Sequence, residues 1–513
     1  MDAILLNLGT GFREVFALTP LTLFGLTFSM PVNIIFCFLG ALIGTFIGVL
    51  PGLGPMATIA MLLPATYALP PLGGLIMLAG IFYGAQYGGS TTSILVNVPG
   101  ETSSVVTCLD GYQMARRGRA GVALATAALA SFFAGCVATL LVAAFSIPLA
   151  EIAFQFGPAE YFSLMVLGLV AAVVLASGSL IKAVGMIILG LLGGIVGVDI
   201  NTGVQRFTFN IPELADGIGL VPVAMGVFGF AEVMNNVEKR EVREIFTKKI
   251  TNLFPTKSDF KRMIAPVVRG TALGSLIGIL PGGGVILASF GSYALEKKVS
   301  KYRSEFGKGA IEGVAGPEAA NNAAAQTSFI PLLTLGIPPS GVMAMILGAM
   351  MIHNIQPGPL VMTKNPTLYW GLITSMWTGN LMLVVLNLPL IGIWVKMLAV
   401  PYRLLYPAIL TFCCIGSYTV SNSTFDVMMT ACFGLLGYIS LKLGCEGAPL
   451  MLGFVLGPMM EENFRRALLL SRGKFTVFFT SPISLILLLI AAVLLIIVAL
   501  PSVRSKRDLV FTE

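Results

Sequence analysis

Histidine occurs once in this chain, at His353, and charged residues fill only 11% of its 513 positions. A soluble domain carries about 25% charged residues. The seven cysteines, Cys37, Cys108, Cys136, Cys413, Cys414, Cys432 and Cys445, have no metal-ligand spacing. With a single histidine they predict no metal site and read as small buried hydrophobes. No nucleophile, metal cluster or pair of catalytic carboxylates stands out, so no catalytic residue is assigned and an enzyme is not expected. A Gly-x4-Gly-Lys-[Ser/Thr] nucleotide loop is missing too, which argues against ATP as the energy source. The first residues lack a basic region, Arg13 being followed at once by Glu14, so they do not read as a secretory signal.

What is present is apolar sequence. Hydrophobic residues make up 56% of the chain, the composition of a polytopic membrane protein. Stretches such as 122–147, 161–180, 381–397 with its flanks, and 475–500 match the roughly 18 apolar residues of a membrane span. The net charge of +7 is gathered in loops, which is a positive-inside pattern and not a nucleic-acid signal.

A fifteen-residue pattern occurs twice at a constant offset of 230 residues. The first copy carries Gly40, Gly44, Gly48, Pro51, Gly52 and Gly54. The second carries Gly270, Gly274, Gly278, Pro281, Gly282 and Gly284. Spacing by four puts the first three glycines of each copy on one helix face, where small residues let backbones approach. The Pro-Gly sequences then interrupt apolar segments. Broken backbone at membrane depth is tolerated only where protein or a water-filled cavity satisfies it. Two hairpin tips facing a shared cavity are therefore expected, with an ordinary turn at the membrane surface as the alternative. Residues 56–69 are too few for a span, which favours a re-entrant hairpin. An interrupted apolar segment present once in each half points to the substrate site of a secondary transporter.

Shorter matches extend the repeat in order. Asn97-Val-Pro99-Gly100 matches Gly336-Ile-Pro338-Pro339, Gly190 matches Gly434, and Pro222 with Gly226 matches Pro449 with Gly453. The basic stretch 235–262 separates the halves and is placed in the cytoplasm. Arg116, Arg117 and Arg119 read as cytoplasmic, while the equivalent region 353–364 has one lysine. Lys297, Lys298, Lys301, Arg303 and Lys308 read as cytoplasmic, while their equivalent near Pro70 and Pro71 has no charge. Equivalent loops then lie on opposite sides, as inverted-topology repeats require. Arg465, Arg466, Arg472 and Lys474 run against this and fall on the predicted outer side, beside Glu461 and Glu462.

The expected fold is an all-α polytopic membrane protein of about 10–12 membrane segments. It has two inverted-topology repeats with broken helices or re-entrant hairpins. Residues 1–30 form a lead-in at the interface, 31–236 the first repeat, 237–262 the basic linker, and 263–466 the second repeat. Residues 467–513 supply a last helix and a basic tail.

Two hydroxyl- and amide-rich stretches, 83–101 and 316–340, contain the candidate contacts. Ser90, Thr91, Thr92, Asn97, Asn321, Asn322, Thr327 and Ser328 can donate hydrogen bonds to a polyanion without fixed charge, as helix N-termini do. Hydrogen bonding between helices is the competing role for such residues. Gly52, Gly54, Gly282 and Gly284 would shape the tips. Glu101 and Glu318 are the carboxylates nearest these stretches. Intramembrane carboxylates are costly and functional by default. They are candidates to bind a coupling cation or relay a proton, and equally to cap a helix. His353 reads as a solvated loop residue.

Four segments carry a family resemblance: GVLPGLGP, YGAQYGGSTTSILVNVPGE, DGYQMARRGRAG and GPEAANNAAAQTSFIPLLTLGIPPS. Together they resemble the large membrane subunit of tripartite tricarboxylate transporters, the TctA family, over nearly the whole chain. The resemblance implies a multi-pass permease of the bacterial inner membrane. Its implied partners are a small membrane subunit of about four helices, a periplasmic solute-binding protein and the lipid bilayer. It implies uptake of citrate-like or other carboxylates on a Na+ or H+ gradient, with no cofactor, ATP or nucleic acid. An ion-coupled carboxylate carrier or channel working without a binding protein is the alternative. The second tip departs from the first, reading PGGGV where the first reads PGLGP. The broken hairpins suggest access that alternates by an elevator-type slide.

Overall fold

The computed structural model describes residues 2–23, 26–50, 54–175, 179–199, 202–238, 253–280, 284–398 and 402–499. Gly52 and Gly282, most of the basic linker, and the basic tail lie outside the described residues. The described chain is almost entirely helical, as expected of an all-α membrane protein. Among the described residues, five helices are long and apolar enough to cross a membrane: Val32–Val49, Ala115–Ala153, Leu220–Val237, Pro366–Asn387 and Thr424–Lys442. Several apolar helices are shorter, among them Pro158–Val174, Leu180–Gly194 and Gly341–Ile352.

The lead-in is a helix, Asp2–Val15, followed by an antiparallel hairpin of Thr19–Leu23 and Leu26–Met30. Sequence reading anticipated a helix alone over this region. The helix is tied down on the membrane core. Phe12 stacks on Trp377 with ring centroids 6.0 Å apart, and Asn33 Nδ2 donates to the Glu14 carbonyl at 3.0 Å.

Both glycine patterns build the same contact. Helix Val32–Val49 packs along helix Pro71–Val96, and helix Lys257–Gly278 packs along helix Glu312–Thr327. A Cβ on Gly40, Gly44 or Gly48 would strike the carbonyl oxygens of Met77, Ile81 and Ala85. One on Gly270, Gly274 or Gly278 would strike those of Gly316, Ala320 and Ala324. The missing side chains therefore set the helix separation. After the first tip, helix Pro55–Tyr67 has 13 residues. At 1.5 Å per residue it reaches roughly 20 Å, short of the roughly 30 Å hydrocarbon layer.

The long helices Pro71–Val96 and Glu312–Leu335 end alike. Asn97 (φ 58°) and Gly336 (φ 71°) adopt left-handed backbone, each two residues before a proline that prevents helix continuation. The second helix is interrupted at Ser328, because Pro331 has no N–H for the Thr327 carbonyl. After each left-handed residue the chain doubles back and starts a new helix in the interior. In the first half Ser103 reaches Gln86 (2.7 Å) and Ser104 reaches Ser93 (2.9 Å). A Cβ on Gly100 would strike the Gly48 carbonyl, so the returning loop sits directly on the first glycine helix. In the second half helix Gly341–Ile352 restarts behind Ser340.

The two long units pass each other head to tail. Asp110, beyond the first restart, accepts from the N–H groups of Gly309 (2.7 Å) and Ala310 (2.8 Å) at the head of the second unit. His353, at the end of the second restart, sits beside Gly74 and Tyr67 at the head of the first.

The remaining helices pair across the halves. Leu180–Gly194 packs on Gly447–Leu470, and the 220–238 helix packs on Thr424–Lys442. The apolar stretch 381–397 is not one span: the helix stops at Asn387 and a short helix, Ile391–Met397, follows. Pro389 accounts for the break, since neither it nor its neighbour Leu388 favours helix continuation. The cationic residues that run against the positive-inside pattern are partly neutralised. Arg465 pairs with Asp199 (2.6 Å) and Glu461 (2.7 Å), Arg206 with Glu461 (2.6 Å), and Arg466 with Glu462 (2.5 Å). Cys37 and Cys413 are buried, four cysteines are partly buried, and Cys432 is exposed, on an apolar helix whose outer face packs on nothing.

Candidate functional site

The predicted polar stretches meet at Glu318. Its side chain is fully buried. Ser90 Oγ donates to Oε2 at 2.6 Å, and Thr107 Oγ1 donates to Oε1. The three residues come from three segments: the first long helix, the first restart and the second long helix. Asn322, one turn beyond Glu318, donates from Nδ2 to Ser131 Oγ (2.7 Å) and to the Glu318 carbonyl (3.2 Å). Among the described residues Glu318 has no ion-pair partner. Glu296 and Glu312, also buried, do have one: Glu296 pairs with Arg269 (2.6 Å) and Glu312 with Arg262 (2.8 Å).

Glu101 opens the first restart. Its carboxylate accepts from the Ser103 N–H at 3.1 Å and from the Ser103 hydroxyl, while Ser104 Oγ closes a reciprocal capping pair. The helix-capping role weighed for this residue is thus present. Gln86 Oε1 also accepts from Ser103, so the side chains run Glu101–Ser103–Gln86 on one side of Ser90 and Glu318–Thr107 on the other. Ser340 holds the matching place in the second half. Its backbone is extended like that of Glu101, and its hydroxyl accepts from the Met343 N–H at 3.3 Å.

The other predicted contacts are dispersed. Thr91 is buried and lines a small cavity with Tyr87, Ser90, Ser131 and Asn387. Thr92 donates to the Val49 carbonyl at 2.8 Å, tying the long helix to the last turn before the first tip. Thr327 donates to Ala323 and Ser328 to Ala325, both within their own helix. Asn97 is exposed at the turn. Asn321 is buried, and neither end of its amide has a hydrogen-bond partner among the described residues. Gly54 caps helix Pro55–Tyr67, and Gly284 is buried at the start of helix Gly284–Val299. That helix runs beside the 102–104 restart, and Met56, just after the first tip, lies against Gly341. Each hairpin's second arm therefore borders the restart of the opposite half.

Sequence reasoning missed Thr107, Ser131, Gln86, Ser103 and Asn387. A polar residue inside an apolar helix, as Ser131 is, was the available signal. Asp110 was missed also. Besides the two N–H groups it accepts from Tyr293 at 3.0 Å, and it is fully buried.

This arrangement offers buried helix starts, unpaired amide groups and one uncompensated carboxylate, with no group of three or more His, Cys, Asp or Glu able to hold a metal among the described residues. An uncharacterized 52.8 kDa protein in the TAR-I ttuC' 3' region of Agrobacterium vitis is 58% identical over the full length of both chains. An uncharacterized protein in the TAR-II ttuC' 3' region of the same organism is 62% identical over 240 residues, 47% of this chain and 99% of that one. No solved structure matches this chain. The sequence profile of one family spans residues 34–452. The chain belongs to the tripartite tricarboxylate transporter TctA family.

Proposed function

We propose that this protein is the large permease subunit of a binding-protein-dependent secondary transporter in a bacterial inner membrane. It imports a tricarboxylate or related carboxylate, driven by a Na+ or H+ gradient, together with a small membrane subunit and a periplasmic solute-binding protein. The two halves are inverted-topology repeats. The observation that carries this reading is the head-to-tail passage of two long helices, each ending in left-handed backbone and restarting inside the protein at Glu101 and at Ser340. Helix starts buried inside a membrane protein attract anions, and repeats of opposite direction place two of them around one centre. Contact between Lys182, at the start of one helix, and the Leu443 carbonyl (2.5 Å), at the end of its equivalent, also supports opposite directions.

In this reading Gly52, Gly54, Gly282 and Gly284 shape tips that border the substrate. Asn321, Asn322 and Ser90 to Thr92 supply contacts to substrate or ion. Glu318 carries the coupling charge, and Glu101 caps the first restart. Access alternates by an elevator-type slide of the hairpins and long helices against the outer helices.

The test is uptake into proteoliposomes holding this chain, the small subunit and the binding protein, with Na+ and H+ gradients imposed separately. Saturable carboxylate accumulation on one gradient, dependent on the binding protein, is expected. Accumulation without the binding protein, or flux that never saturates, would replace this reading with a self-sufficient carrier or a channel.

A further inference from the structure

One cavity lies beside Glu318 and has no assigned role. Tyr87, Ser90 and Thr91 form one wall, Ala127, Ala128 and Ser131 a second, and Asn387 closes it. It has room for about one water-sized body. Its polar lining is four hydroxyls and one amide, and the orientation of that amide, Asn387, is set by its donor. Its Nδ2 donates to the Leu383 carbonyl at 2.9 Å, which only an N–H can satisfy, so the amide oxygen is the free end. That oxygen is buried and has no hydrogen-bond partner among the described residues. The same logic applies one contact away. Asn322 Nδ2 is committed to Ser131 and to the Glu318 carbonyl, and its Oδ1 is buried without a partner.

Charge balance points the same way. A carboxylate buried in its charged form is costly unless it is compensated, and otherwise it takes up a proton. Glu318 has two hydroxyl donors and no cationic side chain, and one of those donors, Ser90, is a wall of the cavity. A single negative charge next to hydroxyl and amide oxygens matches a hard monovalent cation, since hard cations take oxygen ligands. A divalent ion would leave a charge uncompensated.

We propose that this cavity is a sodium site, liganded by Asn387 Oδ1 and the hydroxyls of Ser90, Thr91 and Ser131, and neutralised by Glu318. The site lies where helices Pro71–Val96, Ala120–Ala153 and Pro366–Asn387 meet. It deepens the reading of a gradient-driven carrier by naming the ion and its ligands, and its test uses no transport.

The experiment is equilibrium binding of radiolabelled Na+ to the purified full-length chain, at constant ionic strength set with choline chloride. Saturable binding of one Na+ per chain is expected. Asn387→Leu and Ser131→Ala should each weaken it about tenfold, the effect of losing one polar contact to a charge. Glu318→Gln should abolish it. Asn387→Asp, which keeps an oxygen in place, should retain binding and shows that the position tolerates change. Absence of saturable Na+ binding in the unaltered chain, or equal binding in Asn387→Leu, overturns the site. Intact Na+ binding with no carboxylate uptake would instead count against the transport reading alone.

Discussion

Glu318 is the residue on which the chemistry turns, because it is a buried acid that accepts from hydroxyls and has no cationic partner among the described residues. Its Gln variant keeps the size and removes the charge. Glu318→Gln should abolish gradient-driven accumulation in proteoliposomes while substrate exchange survives, since exchange returns the carrier loaded and needs no net ion movement. Ser90→Ala should shift the ion dependence in the same direction. A hydrogen bond to a charged group is worth about 1.5–3 kcal/mol, or about tenfold or more. Unimpaired accumulation by Glu318→Gln would remove this carboxylate from the mechanism. At this scale the sequence was half legible. Glu318, Ser90 and Asn322 stood out as polar groups in apolar runs. Thr107 and Ser131 did not, because they reach Glu318 across 211 and 187 positions, and spacing carries no information over such distances.

At the scale of elements, two rules set the geometry: glycine where helices touch, and left-handed backbone where a long helix turns back. Gly274→Val would drive a side chain into the Ala320 carbonyl, and overpacking of this kind costs about 1–3 kcal/mol. Gly185, with nothing within 4 Å of its added Cβ, is the control and should tolerate valine. Asn97→Val, at φ 58°, should cost about 1–2 kcal/mol, while Asn97→Gly should not destabilise. Thermal unfolding of the purified chain compares all four. Equal midpoints for Gly274→Val and Gly185→Val would show that the helices can separate freely. The glycine stripes and the proline breaks were readable because they are local and periodic. The return of residues 98–104 along their own helix was not, since nothing in Val98-Pro99-Gly100 says which way the chain leaves the turn.

At the scale of the whole molecule, the inverted arrangement makes a prediction about sidedness. Arg117, in the loop before the Ala120–Ala153 helix, and Lys364, after the second restart, are both exposed, and the proposed repeat makes them equivalent. Cysteines placed there, in a background lacking the exposed Cys432, should react with impermeant reagents from opposite faces of the membrane. Reaction from one face would refute inverted repeats while leaving the helix packing as described. Arg465 and Arg466 pair with neighbouring acids, but acids contribute little to the positive-inside rule, so this cluster still runs against the arrangement and the labelling decides.

The sequence by itself determined that the chain is a helical membrane protein and that one pattern of glycine and proline occurs in it twice. Composition, glycine spacing and proline placement act within a few residues, so they can be read in one dimension. Tertiary structure alone decided that the two long helices run head to tail and that Asp110 clasps the start of the opposite unit. It also decided that Glu318 meets hydroxyls and no arginine, while Glu296 and Glu312, in similar sequence, each receive one. The reason is physical. A buried charge is satisfied by whichever group the fold carries to it, and that choice is made by packing between segments, 27 positions apart for Arg269 and Glu296 and 211 for Thr107 and Glu318.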